Sequence, residues 1–277
     1  PYWQPAARAR GAQRGPPRGM GRAFVDALPE VAEQGFLDQL DRVFSTGQPL
    51  NGRALPIQLQ RVAGGDLEQC YVDMIYQPIR DPGGRVSGIF VQGYDVTEAH
   101  ILAKKVAHDA AHDSVTGLLN RREFERRWDA LKSLAGPHAI LYIDVDQFRT
   151  IKKRLGRAAG DEVLQQVAAI LQQHLKETDL LATVGGDQFA AALPGTSTKN
   201  ALELTHNLCL AVRETQFAWG DKQFSVTLSI GLAEFQSLGT ISFTDALGIA
   251  DAACSLAKEK GRDRVYVYDR ADLLTAD

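Results

Sequence analysis

Cysteine is scarce in this 277-residue sequence: Cys70, Cys209 and Cys254 stand far apart, and no CxxC pair occurs. That excludes a zinc ribbon, a redox couple of neighbouring thiols and a disulfide-stapled secreted module, and it fits a reducing compartment in which all three act as small buried hydrophobes. No run approaches 18 uninterrupted apolar residues and no charged-then-apolar leader opens the sequence, so the expectation is a cytoplasmic protein without a membrane span. A strong net charge is lacking as well. The formal value is −3, and it hides an asymmetry: Arg8, Arg10, Arg14, Arg18 and Arg22 are unopposed before Asp26, and losing those five positive charges takes −3 to −8 for the remainder. An acidic body has no basic face with which to displace counterions, which excludes nonspecific nucleic-acid binding and leaves room for a free nucleotide carried by magnesium.

What is present is an ordinary globular balance, 44% hydrophobic and 23% charged, over a length that suits two domains at about 150 residues each. Residues Pro1 to Gly19 hold four prolines, three glycines and four arginines with little apolar content, which predicts a disordered basic tail over 1–19. Phe36, Leu37, Leu40, Val43 and Phe44 fall at helical spacing, and Thr46-Gly47-Gln48-Pro49 supplies the stop. Leu55 to Val62, Gln69 to Pro78 and Arg85 to Asp95 then alternate or run β-branched, with Gly64-Gly65-Asp66 and Asp81-Pro82-Gly83-Gly84 as turns. That pattern predicts an antiparallel three-stranded meander. Glu98 to Ala111 is rich in alanine and free of Gly and Pro, with Ile101, Val106 and Ala110 on one side, which suits a helix joining two halves. His108 and His112 lie four apart on it, a spacing that holds zinc only with further ligands, and none is near in the sequence.

The second half opens on Asp113-Ser114-Val115-Thr116-Gly117-Leu118-Leu119-Asn120-Arg121-Arg122, where Asn120 is placed to cap a helix. His138 to Ile143 reads as a buried strand and ends in Asp144-Val145-Asp146-Gln147-Phe148. Side chains alternate across a strand, so Asp144 and Asp146 share a side. Two carboxylates there either cap a neighbouring helix or hold a divalent cation. Magnesium takes one or two carboxylates plus phosphate oxygens and water, which suits nucleotide chemistry. Ala182-Thr183-Val184-Gly185-Gly186-Asp187-Gln188-Phe189 places two glycines between β-like segments, a hairpin turn open to positive φ and to close approach of a phosphate, with a further carboxylate at Asp187.

In their order along the chain these pieces resemble two families. Residues 20–98, through Tyr71-Val72-Asp73-Met74-Ile75-Tyr76-Gln77-Pro78-Ile79, Gly88-Ile89-Phe90-Val91 and Asp95-Val96-Thr97-Glu98, resemble the C-terminal half of a PAS sensor domain. Its first two strands are not evident, and no residue announces a haem, flavin or other PAS cofactor. Residues 113–270 resemble the GGDEF domain of diguanylate cyclases, named for the motif that stands here as Gly185-Gly186-Asp187-Gln188-Phe189. Asp144-x-Asp146-x-Phe148, Gly160-Asp161, Ser229-Ile230-Gly231-Leu232-Ala233, Ala250-Asp251-Ala252 and Ala257-Lys258-Glu259-Lys260-Gly261-Arg262 follow in that family's order.

The resemblance implies an α+β / α/β fold: a partial PAS-like antiparallel sheet with helices, a helical linker over 99–112, a nucleotidyl-cyclase or palm-like domain with a central, mostly antiparallel sheet flanked by helices, and a short tail at 271–277. It implies a homodimer that joins two GTP molecules into cyclic di-GMP with Mg2+ or Mn2+. Metal then falls to Asp144, Val145 and Asp187, and catalysis to Asp144, Asp187 and Gln188. The nucleotide falls to Gly185, Gly186, Arg149, Lys152, Asp161, Lys258 and Arg262. In this reading Asp161 accepts from guanine, and Lys258 and Arg262, one helical turn apart and able to face the same way, grip phosphates.

The pattern breaks at four positions. Gln188 replaces the glutamate of the signature, keeping its shape without its charge or basicity. Lys152 replaces the asparagine that reads guanine, and lysine only donates. Thr183 replaces the arginine two residues before the signature, and Arg157 a frequent histidine. The product-inhibition motif Arg-x-x-Asp reads Lys176-Glu177-Thr178-Asp179, a point charge in place of a planar fork, so weak feedback or none is expected, with Lys176 and Asp179 a solvated helix-end pair. The resulting expectation is a domain of cyclic di-GMP signalling under PAS control that binds GTP and magnesium, condenses GTP poorly or not at all, and regulates a partner protein or a downstream phosphodiesterase domain. A cyclase of low turnover and a purely structural dimerisation module are the alternatives.

Overall fold

A computed structural model describes residues 32–60, 65–131, 133–236 and 241–269. The segments expected as tails, 1–19 and 271–277, and the start of the PAS-like region lie outside the described residues. The chain divides into two units, Pro1–Val106 and Ala107–Asp277. Among the described residues no helix is long and apolar enough to cross a membrane.

In the first unit, helix α1 (Leu37–Thr46) stops where Gly47 takes φ 64° and donates its N–H to the Val43 carbonyl at 2.9 Å. Glycine reaches that left-handed conformation without steric cost. Strands β1 (Leu50–Leu59), β2 (Glu68–Arg80) and β3 (Val86–Asp95) form an antiparallel sheet in sequence order. β1 begins before the expected Leu55 because Leu50 to Gly52 pair with Tyr76 to Met74, ahead of an irregularity between Gly52 and Leu55. The pleat sorts the side chains: Cys70, Val72 and Tyr76 of β2 join Phe36, Val43 and Ile57 in one core, while Ile79, Phe90 and Tyr94 are exposed. Asp95 and Thr97 start helix α2 (Thr97–Ala111): Asp95 Oδ1 accepts from the Thr97 N–H at 3.0 Å, and Thr97 Oγ1 accepts from the Tyr71 N–H at 2.8 Å. No residue of α2 is buried.

The second unit runs β4 (Leu119–Asn120), α3 (Arg121–Leu131), β5 (His138–Val145), α4 (Phe148–Leu155), α5 (Arg157–His174), β6 (Leu180–Thr183), β7 (Gln188–Pro194), α6 (Thr198–Glu214), β8 (Phe217–Trp219), β9 (Lys222–Phe224), β10 (Leu228–Phe235), α7 (Phe243–Glu259) and β11 (Arg264–Val267). Its main sheet has the order β11-β10-β5-β7-β6-β4, antiparallel except for the β10–β11 and β4–β6 pairs. Asn120 caps α3 as its position suggests, Oδ1 accepting from the Glu123 N–H at 2.9 Å.

β5 is central and every one of its residues is buried. Leu141, Ile143 and Val145 pack with Val163, Leu171 and Leu208 of α5 and α6, whereas Ile140 and Tyr142 pack with Phe124 and Trp128 of α3 and Leu247 of α7. Covering both faces is why the strand reads as a continuous apolar run, and it forces the carboxylate near its end, Asp144, to find partners inside.

Candidate functional site

Asp144 is 6% exposed. Its Oδ2 meets Lys258 Nζ, from the last turn of α7, at 2.6 Å and accepts from Gln188 Nε2, at the start of β7, at 3.4 Å. Burial lifts the Asp144 carboxyl above the ordinary carboxylate range; Lys258 and Gln188 pull it back, and the neighbouring Asp187 charge adds to the rise. Lys258 also loses solvation, but its bond to Asp144 and the charges around it outweigh that loss and hold the ammonium above the usual lysine range.

Asp187 reaches the same edge through the turn between β6 and β7, where its carbonyl accepts from the Val145 N–H at 3.1 Å. The turn differs from the sequence expectation in one respect: neither Gly185 nor Gly186 takes a positive φ. What lies close to Gly185 is the folded-back amide of Gln188, which a Cβ there would have to displace.

The two acids of the Asp-x-Asp motif have different partners. Asp146 accepts from Thr227 Oγ1 and Ser229 Oγ, each at 2.7 Å, and from the Asp263 N–H at 3.1 Å. Ser229 pairs with Asp144 across β10 and β5, so both carboxylates fall on one side of the sheet, yet only Asp144 faces Lys258 and Gln188. The residues present fit one divalent ion. Asp144 and Asp187 supply two carboxylates, the Val145 side chain lies in the core and leaves only its main-chain oxygen, and Gln188 turns N–H donors toward Asp144, where a cation finds no ligand. Among the described residues no group of three or more His, Cys, Asp or Glu gathers to hold a metal. His108 and His112 are stacked with ring centroids 4.0 Å apart, and His112 Nδ1 lies 2.9 Å from the His108 carbonyl.

Beside this edge opens a cleft of about 270 Å³ lined by Lys152, Arg157, Asp161, Thr183, Gly185 and Gly186, among others. Three of the four departures from the family pattern thus share one cavity, and the fourth, Gln188, sits at Asp144. Asp161 Oδ2 lies 3.6 Å from Arg157 Nε, one turn earlier on α5. The Lys152 stem crosses Gly160, where a Cβ would stand 2.6 Å from Lys152 Cγ, and its ammonium lies 5.5 Å from the Phe148 ring centroid. The cleft therefore offers two carboxylates, Asp161 and Asp113, of which Asp113 already accepts from Thr116, and two cationic donors, Lys152 and Arg157.

Sequence reasoning missed what holds its wall. Thr116 Oγ1 donates to Asp113 Oδ1 at 2.9 Å, since a carboxylate only accepts, so the 2.7 Å contact between Thr183 Oγ1 and Thr116 Oγ1 has Thr183 as donor. Asp113 Oδ1 also accepts from the Thr116 N–H at 2.9 Å. Asp113-x-x-Thr116 is a side-chain-to-backbone turn pattern, and that was the available signal.

The other predicted residues fall as follows. Arg149 is exposed on the first turn of α4. Arg262 is not on the helix that carries Lys258: α7 ends at Glu259, Gly261 takes φ 115°, and Arg262 follows at φ 61°, so the single-helix geometry expected for the two does not hold. Asp179 Oδ2 accepts from the Lys176 N–H at 2.8 Å, and burial raises the Asp179 carboxyl against the pull of that bond. The two line a smaller cavity of about 110 Å³ with His174, Thr196 and Asn200.

Residues 110–264 match the family described as diguanylate cyclase, GGDEF domain, and residues 2–101 match the PAS fold. The probable diguanylate cyclase DgcE of Escherichia coli is 32% identical over 179 residues, 63% of this chain and 16% of that protein. The cyclic di-GMP phosphodiesterase PdeB of Shewanella oneidensis is 33% identical over 187 residues, 68% of this chain and 22% of that protein. The chain thus spans less than a quarter of either relative. Among solved structures, the GGDEF domain of TpbB from Pseudomonas aeruginosa matches with a TM-score of 0.53 at 34% identity, covering 59% of this chain and 97% of that one. The coiled coil and GGDEF domain of DgcB from Caulobacter crescentus, solved with c-di-GMP, gives a TM-score of 0.58 at 24% identity over 62% of this chain and 93% of that one, a likeness of fold. This chain belongs to the GGDEF family of cyclic di-GMP signalling, with a PAS fold preceding the GGDEF domain.

Proposed function

We propose that the GGDEF unit binds GTP with one divalent cation, condenses two GTP poorly or not at all, and serves as a regulator in cyclic di-GMP signalling under control of the PAS unit. The observation that carries this reading is the Gln188 amide directed at Asp144, where the family pattern has a carboxylate. Attack of a ribose 3′-hydroxyl on an α-phosphate draws on a bound Mg2+ or Mn2+ to neutralise phosphate charge and to favour the alkoxide. Asp144 and Asp187 are the residues that would hold the ion. Gln188 can neither ligate it through a charge nor take the hydroxyl proton.

Binding is better provided for than chemistry. Lys258, paired with Asp144, sits where its ammonium can turn to a phosphate, with Arg262 and Arg149 as further cationic groups. Asp161 accepts from the guanine N1 and N2 donors, and Lys152 donates to the O6 or N7 acceptors. Condensation needs two nucleotides and therefore a second copy of the chain, and output passes to a partner protein or a phosphodiesterase domain. The Asp179 carboxylate accepts from the Lys176 backbone N–H, and a lysine point charge stands where the family has a planar arginine fork, so feedback by product is weak or absent. The Asp144→Ala variant is expected to lose magnesium-dependent GTP binding in calorimetry; unchanged affinity would sink the site.

A second reading, a cyclase of low turnover, draws on Asp144, Asp187 and Lys258 lying at one edge. Formation of cyclic di-GMP by the unmodified chain would decide for it.

A further inference from the structure

We propose that Asp146 is a positioning residue for Arg262: its carboxylate holds the turn after α7 that presents this arginine to the nucleotide phosphates, a role that rests on the phosphate contact given to Arg262 above. Asp146 is 5% exposed and its carboxylate takes three protein donors, Ser229 on Oδ1 and Thr227 and Asp263 on Oδ2. Two of those donors belong to β10 and the segment entering it. The third, the Asp263 N–H at 3.1 Å, belongs to the turn and is the link that a purely local brace of β10 would not need.

That turn is unusual. Arg262 and Asp263 are consecutive non-glycine residues at φ 61° and 48°, in the left-handed region that L side chains rarely adopt. One Asp263 carboxylate oxygen is buried without a hydrogen bond. Such a conformation persists only where surrounding contacts over-determine it. Three contacts do so: the Arg262 N–H reaches back to the Ala257 carbonyl at 3.1 Å, Asp146 grips the Asp263 N–H, and Arg213 of α6 pairs with Asp263 Oδ2 at 2.7 Å. The sequence gains by this a second cation displaced from the helix axis that carries Lys258, with its backbone fixed from two sides. Asp146 touches neither ion nor nucleotide in this assignment and acts through the turn.

The test is a double-mutant cycle on the full chain, read as GTP affinity by calorimetry in the presence of Mg2+. D146N and R262A are each expected to weaken GTP binding about tenfold, and the double variant to bind no worse than R262A alone, the signature of one shared interaction. Loss in the double variant equal to the product of the two single losses overturns the proposal, as does D146N binding GTP like the unmodified chain. R262A binding as tightly as the unmodified chain overturns both the proposal and the phosphate role of Arg262. Should D146N fail to fold by circular dichroism, R213A carries the same test from the exposed side of α6. It is expected to weaken binding in the presence of Arg262 and to do nothing in the R262A background, and additivity there overturns the proposal.

Discussion

Asp144 and Asp146 carry the same carboxylate two positions apart and meet different donors. Asp146 accepts from hydroxyls and a backbone N–H, Asp144 from a lysine ammonium and an amide. Because burial lifts the Asp144 carboxyl, a proton competes with the cation at higher pH than it would at an exposed aspartate, whose pKa is about 3.9. Magnesium-dependent GTP affinity measured by calorimetry from pH 8 downward is therefore expected to decline while exposed aspartates are still ionised, and a flat profile down to that range contradicts the assignment. At Gln188 the expectation runs the other way. Gln188→Glu adds a carboxylate beside Asp144 and Asp187 and should raise divalent-ion affinity by roughly tenfold, measured by Mn2+ titration. Glutamate is isosteric with glutamine and fits the same place over Gly185, so the substitution should leave the turn intact.

At the scale of elements, the site depends on where α7 lies against β10. A Cβ on Gly231 of β10 would collide with the α7 backbone at Ala250 and Cys254, so Gly231→Ala must push away the helix that carries Lys258. A destabilisation of about 2–3 kcal/mol by denaturant unfolding is expected, with loss of GTP binding. Helix α3 gives a pH prediction. Hydrogen bonds from Arg126 and then Arg127 hold the Glu123 carboxyl down to about 2. A depressed carboxyl contributes stability above its unfolded pKa and loses it as pH falls through the folded value, so the melting-temperature deficit of Glu123→Gln should be present at pH 7 and shrink from about pH 4.5 toward 2. The arginines are exposed and solvent-screened, which keeps that deficit small. Much at this scale was legible in sequence: the apolar run of β5, the Gly47 stop of α1, the Asn120 cap and the three-stranded meander all follow from local pattern. What was not legible spans the chain. Thr227, Ser229 and Asp263 reach Asp146 from more than 80 residues away, and no spacing announces that. Gly261 was a readable helix stop, and it alone would have set Arg262 off the α7 axis.

For the molecule as a whole, the proposed function concerns pairs of chains, since joining two GTP molecules calls for two copies of the GGDEF unit. Ile101, Leu102 and Val106 of α2 are more than half exposed, and no residue of that helix is buried within the chain. A second copy is the occupant expected for that stripe, and sedimentation velocity should show a concentration-dependent dimer that a Leu102→Glu, Val106→Glu variant dissociates; an unchanged distribution would place the dimer contact elsewhere. In the proposed function the cleft provides Asp161 and Lys152 for a guanine and the edge provides two carboxylates and a lysine, and of the four departures from the family pattern Gln188 is the one that takes a carboxylate away from that edge. Incubation of the unmodified chain and its Gln188→Glu variant with GTP and Mg2+ or Mn2+, with thermal melting and chromatographic detection of cyclic di-GMP side by side, tests that directly. The account predicts that GTP raises the melting temperature of both proteins, that the unmodified chain makes little or no product, and that Gln188→Glu makes more. Ready product from the unmodified chain, or no thermal response to GTP in either protein, would contradict it.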